Sequence, residues 1–190
     1  SYAGLNTQHP KINFDICETD WEARCLTTIN YEQHIHPLWS VNREVDDGMG
    51  NVIDGTCITC HTSDNAGTAV VPPAQLDLTD GPAEDEPDHF AAYHELLYQD
   101  YVQEVVGGIL TYVMVDSGEI DDEGNAIMVR EAVAGGARME AGSASTGRFL
   151  GKFDVGGSHE GYLSDAEMRL IAEWLDIGAQ YYNNPFDVPL

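Results

Sequence analysis

"GTCITCHTSD", Gly55 to Asp64, places two cysteines and a histidine within five positions: Cys57-Ile58-Thr59-Cys60-His61. At this composition such a pentapeptide arises by chance in on the order of 0.003 copies per chain. Three chemistries use cysteines paired in this way. Two cysteines three apart on a turn of helix reach the two vinyl groups of a porphyrin and form thioethers, and the adjacent histidine then falls under the iron. A structural zinc needs two further ligands at a matching spacing. Only Cys17 and Cys25 are spare, and the seven residues between them do not make a usual half-site. Thiol redox chemistry wants a preceding strand and a βαβ context, which the pattern lacks. The motif reads as a haem-attachment site, with Cys57 and Cys60 as covalent anchors and His61 as proximal ligand.

Composition bounds the rest. The chain has 190 residues, with eight Lys and Arg against 33 Asp and Glu, a formal net charge of −25. That length suits one domain, residues 1–190, with a sizeable core. A polyanion of this density repels nucleic acid and anionic lipid and favours basic protein partners or divalent cations. Its plain reading is a solvated acidic surface. No apolar run approaches the roughly 18 to 20 residues of a membrane span. No signal-like segment opens the sequence, so Ser1 reads as the start of a mature chain. With the motif cysteines used covalently, Cys17 and Cys25 are able to close a disulfide, which implies an oxidising compartment; two unrelated buried thiols are the alternative. The expected location is periplasmic or extracellular.

Along the chain, residues 1–28 read as an irregular N-terminal arm. A first helix is predicted from about Asn30, with Gln33 at the capping-box position, Tyr31, Ile35 and Leu38 on one face, and Pro37 ending or bending it. Residues 41–55 read as a hairpin insertion around Asp46 to Asn51. From Asp88 to about Val106, Phe90, Tyr93, Leu97 and Tyr101 recur at helical spacing and predict the longest helix. Residues 109–133 read as a second hairpin insertion, its strands joined by an acidic turn ending in Glu123-Gly124-Asn125. The last helix has the clearest signals: Ser164 with Glu167 as capping box, Met168, Ile171, Ala172 and Leu175 as buried stripe, and Gly178 as stop. Trp39, Trp174, Tyr181 and Tyr182 are expected to pack the core. The acidic turns carry oxygen ligands and glycines that suit calcium, but neither has the spacing of a calcium loop, and exposed hairpin turns are the favoured reading.

Tyr31 to Pro37, Cys57 to His61, and "STGRFLGKF" (Ser145 to Phe153) with "SHEGYLSDAEMRLIAEWLDIGAQYY" (Ser158 to Tyr182) carry a resemblance. The sequence resembles the monohaem c-type cytochrome domains of hydrazine-synthase-alpha-like and related periplasmic proteins. The C-terminal match covers about 40 residues, and the middle of the chain matches little. The resemblance implies a mainly α fold, a cytochrome c-like helical domain around one covalent haem c, here with small β-hairpin insertions. It implies electron transfer rather than enzymatic turnover. It also brings the histidine before "LS", His159, to the iron as second ligand, for bis-histidine ligation.

The chain departs from that pattern where residues 41–55 separate the leading helix from the motif. Met139 lies in a loop that suits an axial methionine, and is the second choice for the distal ligand. His34, His36 and His94 are further candidates, and an open iron, as in a haem enzyme or gas sensor, is another outcome. On the bland reading, His89 and His94 are solvated residues of an amphipathic helix. Partners are expected to be redox proteins with a basic docking surface, with a homo-oligomer, filament or larger cytochrome assembly as the other possibility.

Overall fold

Asn30 caps the turn that begins at Tyr31: its Oδ1 accepts the Gln33 N–H at 2.9 Å. The computed structural model describes residues 29–46, 48–144 and 148–182. Tyr31–Ile35 form one wide turn of π-helix and His36–Ser40 a tighter 3-10 turn. Pro37 accounts for the change of pitch, since it has no N–H to return to the carbonyl one helical turn behind it. The chain then forms β1 (Glu44–Asp46) and β2 (Val52–Asp54), and after them α1 (Cys57–Cys60). Next come β3 (Asp64–Asn65), β4 (Thr68–Ala69) and α2 (Ala91–Leu97). The remaining elements are β5 (Gln103–Val106), β6 (Ile109–Tyr112), β7 (Met114–Ile120), β8 (Ala126–Arg130) and α3 (Asp165–Asp176).

The mainly α expectation is overturned. Among the described residues the protein is 26% helical and 23% strand, with the strands in four small antiparallel hairpins, β1–β2, β3–β4, β5–β6 and β7–β8. The fold is mixed α/β. Much of the difference lies between Asp88 and Val133. The helix predicted over Asp88 to Val106 is confined to Ala91–Leu97, and Tyr98 leaves it in extended backbone. Val102, Val105 and Val106 are β-branched and stiff at χ1. Gly107 and Gly108, both at positive φ (62° and 83°), let β5 fold straight back on β6. The single hairpin predicted over 109–133 is therefore two. Ile109–Tyr112 pairs backwards with Gln103–Val106, and Met114–Ile120 pairs forwards with Ala126–Arg130. The acidic turn stands where it was predicted: the Asp121 carboxylate accepts the N–H groups of Glu123 and Asn125 at 2.9 and 2.8 Å.

The chain divides into two compact units, Ser1–Gly55 with Glu140–Leu190, and Thr56–Met139. In the first, Tyr31, Trp39, Trp174 and Tyr181 are buried together with Ile35, Leu38 and the α3 stripe Leu170, Ile171 and Leu175. Met168 and Ala172, predicted for that stripe, are half-buried on its margin. The Tyr31 hydroxyl accepts Trp39 Nε1–H at 3.1 Å, and Trp174 Nε1–H donates to the Gln180 carbonyl at 3.0 Å, so the large polar aromatics are satisfied where they are buried. The predicted capping box is present: Ser164 Oγ accepts the Glu167 N–H, and Glu167 Oε2 accepts the Ser164 N–H at 2.8 Å. Glu167 Oε1 also pairs with Arg43, whose guanidinium donates to the carbonyls of Leu38 and Val41. One buried carboxylate thus ties the start of α3 to the segment leading into β1. The core of the second unit is Leu76, Leu78, Ala83, Ala92, Tyr93, Leu96 and Met139.

Candidate functional site

Cys57 and Cys60 begin and end α1, and His61 closes it by donating its N–H to the Cys57 carbonyl at 2.9 Å. One helical turn thus presents both thiols and the imidazole. Cys57 is half-buried and Cys60 exposed, and both are thiols. His61 is half-buried and held by its ring: Nδ1 lies 3.1 Å from the Leu76 carbonyl. A carbonyl only accepts, so Nδ1 carries the proton and the lone pair of the neutral ring sits on Nε2. Burial pulls the His61 pKa below its ordinary value, more than the Leu76 carbonyl raises it, and the nearby Arg138 charge pulls it further down. The ring is neutral at neutral pH with Nε2 as its basic nitrogen, the state in which an imidazole ligates iron.

The loop that holds this ring is itself held. Leu78 N–H donates to the His61 carbonyl at 2.9 Å, and Asp77 Oδ2 accepts the Ser63 N–H at 2.9 Å. From α2, Glu95 Oε2 accepts the Asp77 N–H at 2.6 Å. Arg138 spans from the Glu95 carbonyl (2.7 Å) to the Ala74 carbonyl (2.6 Å) and the Asp100 carboxylate (2.8 Å). Burial, with Asp100 and Asp77 close by, pushes the Glu95 carboxyl up to about 8, so it is protonated at neutral pH. Glu95, Asp77 and Arg138 went unread in the sequence, since carboxylates and an arginine scattered over some 60 positions carry no local signal.

The distal candidates divide between the units. Met139 belongs to the motif's own unit, 2% exposed, with its N–H on the Leu96 carbonyl at 2.8 Å. His159 belongs to the other unit, on a stack of turns: its N–H donates to the Lys152 carbonyl, and the Gly157 N–H to that of Asp154, each at 2.8 Å. The ring is half-buried against Phe153 and Tyr162, and Nδ1 lies 2.9 Å from Ser158 Oγ. His34 accepts the Asn30 N–H inside the helix cap, and His36 faces the Tyr31 hydroxyl. His94 meets His89 and Glu86, a grouping that the amphipathic-helix reading passed over. Cys17 and Cys25, with the disulfide expected of them, lie outside the described residues.

The acidic turns bend on their own carboxylates. Asp46 Oδ1 accepts the Gly48 N–H at 2.8 Å, and the backbone N–H of Asn125 is the main cause holding Asp121 below the usual carboxylate range. Among the described residues no helix is long and apolar enough to cross a membrane. Comparison with protein-family models, with curated proteins and with solved structures finds no match for the chain.

Proposed function

We propose that the chain is an electron-transfer protein carrying one covalent haem c, held by Cys57 and Cys60 and ligated by His61 and His159. The observation that carries this reading is the His61 ring: neutral, fixed by Leu76 through Nδ1, and on the same helical turn as two thiols. A disulfide role for the cysteines would give the adjacent imidazole no reason to be oriented in this way, and the ligand atoms of Cys57, Cys60 and His61 do not gather closely enough to share one zinc. The donor set therefore fits the group. When bound, haem c supplies an iron that takes up and releases one electron.

The chain's own residues do the rest. Leu76 orients the proximal ring, and its carbonyl raises the basicity of Nε2. Asp77, Glu95 and Arg138 fix the height of that carbonyl. Ser158 orients the His159 ring, and the turns below it fix its position. With His61 and His159 both bound to it, the group would have no position left for a substrate and would exchange only electrons, at a potential below that of a His/Met haem. Thioether formation and an acidic surface both suit the periplasm or the exterior, and a basic redox protein suits the surface.

Mass spectrometry of protein matured in a host that makes c-type cytochromes tests this. One haem is expected on the peptide holding Cys57 and Cys60, and none in the Cys57→Ala/Cys60→Ala variant. Chain that folds stably without haem in that host would overturn the reading. A second reading, a haem-bearing subunit of a larger cytochrome assembly or filament, is favoured by exposed apolar residues on the β5–β8 hairpins, including Val106, Ile109 and Ile120. Light scattering at native salt separates a monomer from a polymer.

A further inference from the structure

Glu86, His89 and His94 turn three ligand atoms toward one point. Glu86 Oε2 lies 2.8 Å from His89 Nδ1 and 3.2 Å from His94 Nε2, and the two nitrogens are 3.3 Å apart. Each neutral imidazole is able to turn a lone pair to that point with its proton on the other ring nitrogen, so with the Glu86 carboxylate the three residues offer one ligand atom each to a cation. The triangle has the size a metal requires: a tetrahedral zinc with bonds of about 2.0–2.1 Å separates its ligand atoms by about 3.3 Å.

The scaffold around the three is fixed by backbone. The Ala83 N–H donates to the His89 carbonyl at 2.8 Å, and the Ala91 N–H to the Gly81 carbonyl at 2.7 Å, so residues 82–90 close as a loop on the start of α2. The His89 N–H donates to the Glu86 carbonyl at 2.8 Å, a tight turn that brings those two side chains to one side. His94, on the first turns of α2, comes up beside them. The ring of His89 is set edge-on to Tyr93, and that of His94 packs at a tilt against Tyr98, so neither imidazole has to be ordered on binding.

The surrounding charge also suits a cation. Asp85 adds negative potential, which suits a dication better than a single proton. The imidazoles are about one-fifth and one-quarter exposed, while Glu86 is more than half exposed, so an ion has a route in and water can complete its shell.

We infer that Glu86, His89 and His94 form a binding site for a divalent transition-metal ion of the zinc type, separate from the CxxCH motif and independent of the haem reading. Two imidazoles and one carboxylate with a position left to solvent are a donor set that zinc accepts and that calcium and magnesium, which want oxygen, do not.

Calorimetric titration of the full chain with Zn2+ tests the site, in the native protein and in a Cys57→Ser/Cys60→Ser background. One saturating site per chain is expected in both, standing above the weak binding of a polyanion. His94→Ala and His89→Ala should each weaken it about 100-fold and Glu86→Gln about tenfold. Asp121→Asn, in an acidic turn elsewhere, should leave it unchanged. Because Glu86 is exposed, Glu86→Gln reads the site even if a histidine variant folds poorly. Unchanged affinity in the Glu86 and His94 variants, or no saturating site, would overturn the inference. So would zinc binding that disappears with the motif cysteines. A His94→Ala variant whose iron spectrum changes would also overturn it, by giving that ring to the haem.

Discussion

His61 shows what a single hydrogen bond decides. The Leu76 carbonyl selects the tautomer and burial keeps the ring neutral, the state the proposed ligation needs. His159, the proposed second ligand, supplies the matching test. His159→Ala should leave haem attached through Cys57 and Cys60 but convert low-spin iron to high-spin. The reduced variant should bind carbon monoxide, and its potential should rise with the loss of a strong donor to ferric iron. Optical spectra of both oxidation states check this; an unchanged low-spin spectrum would move the assignment to Met139, whose own Ala variant would then carry the change. Glu95 gives a pH prediction. Its carboxyl titrates near 4.5 when unfolded and at about 8 when folded, so the folded state holds the extra proton between those values. Stability from this group is complete below about pH 4.5, falls as pH rises toward 8, and is flat beyond. Glu95→Gln keeps an acceptor for the Asp77 N–H but cannot titrate. Between about pH 5 and pH 8 its stability should gain on that of the native protein by on the order of 3 kcal/mol, read from denaturant midpoints.

Elements carry the next layer. The turns under His159 leave no room for a side chain at Gly157, where a Cβ would fall 2.3 Å from the Lys152 carbonyl oxygen. Gly157→Ala must therefore shift the backbone that sets the His159 ring. It should give a partly high-spin spectrum with haem still bound, which Gly151→Ala, whose added Cβ meets only the Asp154 carboxylate at 3.9 Å, should not. At the head of α3, Glu167→Ala removes a cap and leaves Arg43 buried without its carboxylate; thermal unfolding should show a loss of about 3 kcal/mol or more. The α3 signals were legible because capping is local: Ser164, Glu167 and Gly178 lie within one helix and stand where their chemistry puts them. The turn at Tyr31 and the β1–β2 hairpin were legible for the same reason. The long helix was misread because the helical spacing of Phe90, Tyr93, Leu97 and Tyr101 runs on past Tyr98, where the helix ends, up to the residues 103–106 that Gly107 and Gly108 fold into a hairpin. Periodicity could not weigh a strand pairing that exists only once the chain turns back. The site divided in the same way: Cys57, Cys60 and His61 are contiguous and readable, whereas the Leu76 carbonyl and the Glu95–Asp77–Arg138 brace are tertiary.

At the scale of the whole molecule the dominant quantity is charge. Thirty-three carboxylates against eight basic residues leave −25, and two of the basic side chains, Arg43 and Arg138, are committed inside the fold, while Arg148, Lys152 and Arg169 are exposed. Arg43 and Arg138 are in ion pairs at most one-sixth exposed, and Arg130 is paired with Glu84 while its guanidinium lies 4.0 Å from the Tyr112 ring. The net charge of the surface is strongly anionic. Such a field steers encounter with a basic partner over distances comparable with the Debye length, about 10 Å at 0.1 M salt, and does little once the partners touch. The prediction is kinetic. Electron transfer between this protein and a small basic redox protein should fall at least about tenfold between 10 mM and 0.5 M salt, while exchange with a neutral small-molecule reductant should change little. Stopped-flow absorbance of the haem measures both rates in one preparation. If the two rates depend on salt alike, the acidic surface serves solubility rather than recognition, and the redox partner has to be sought at the apolar hairpins instead.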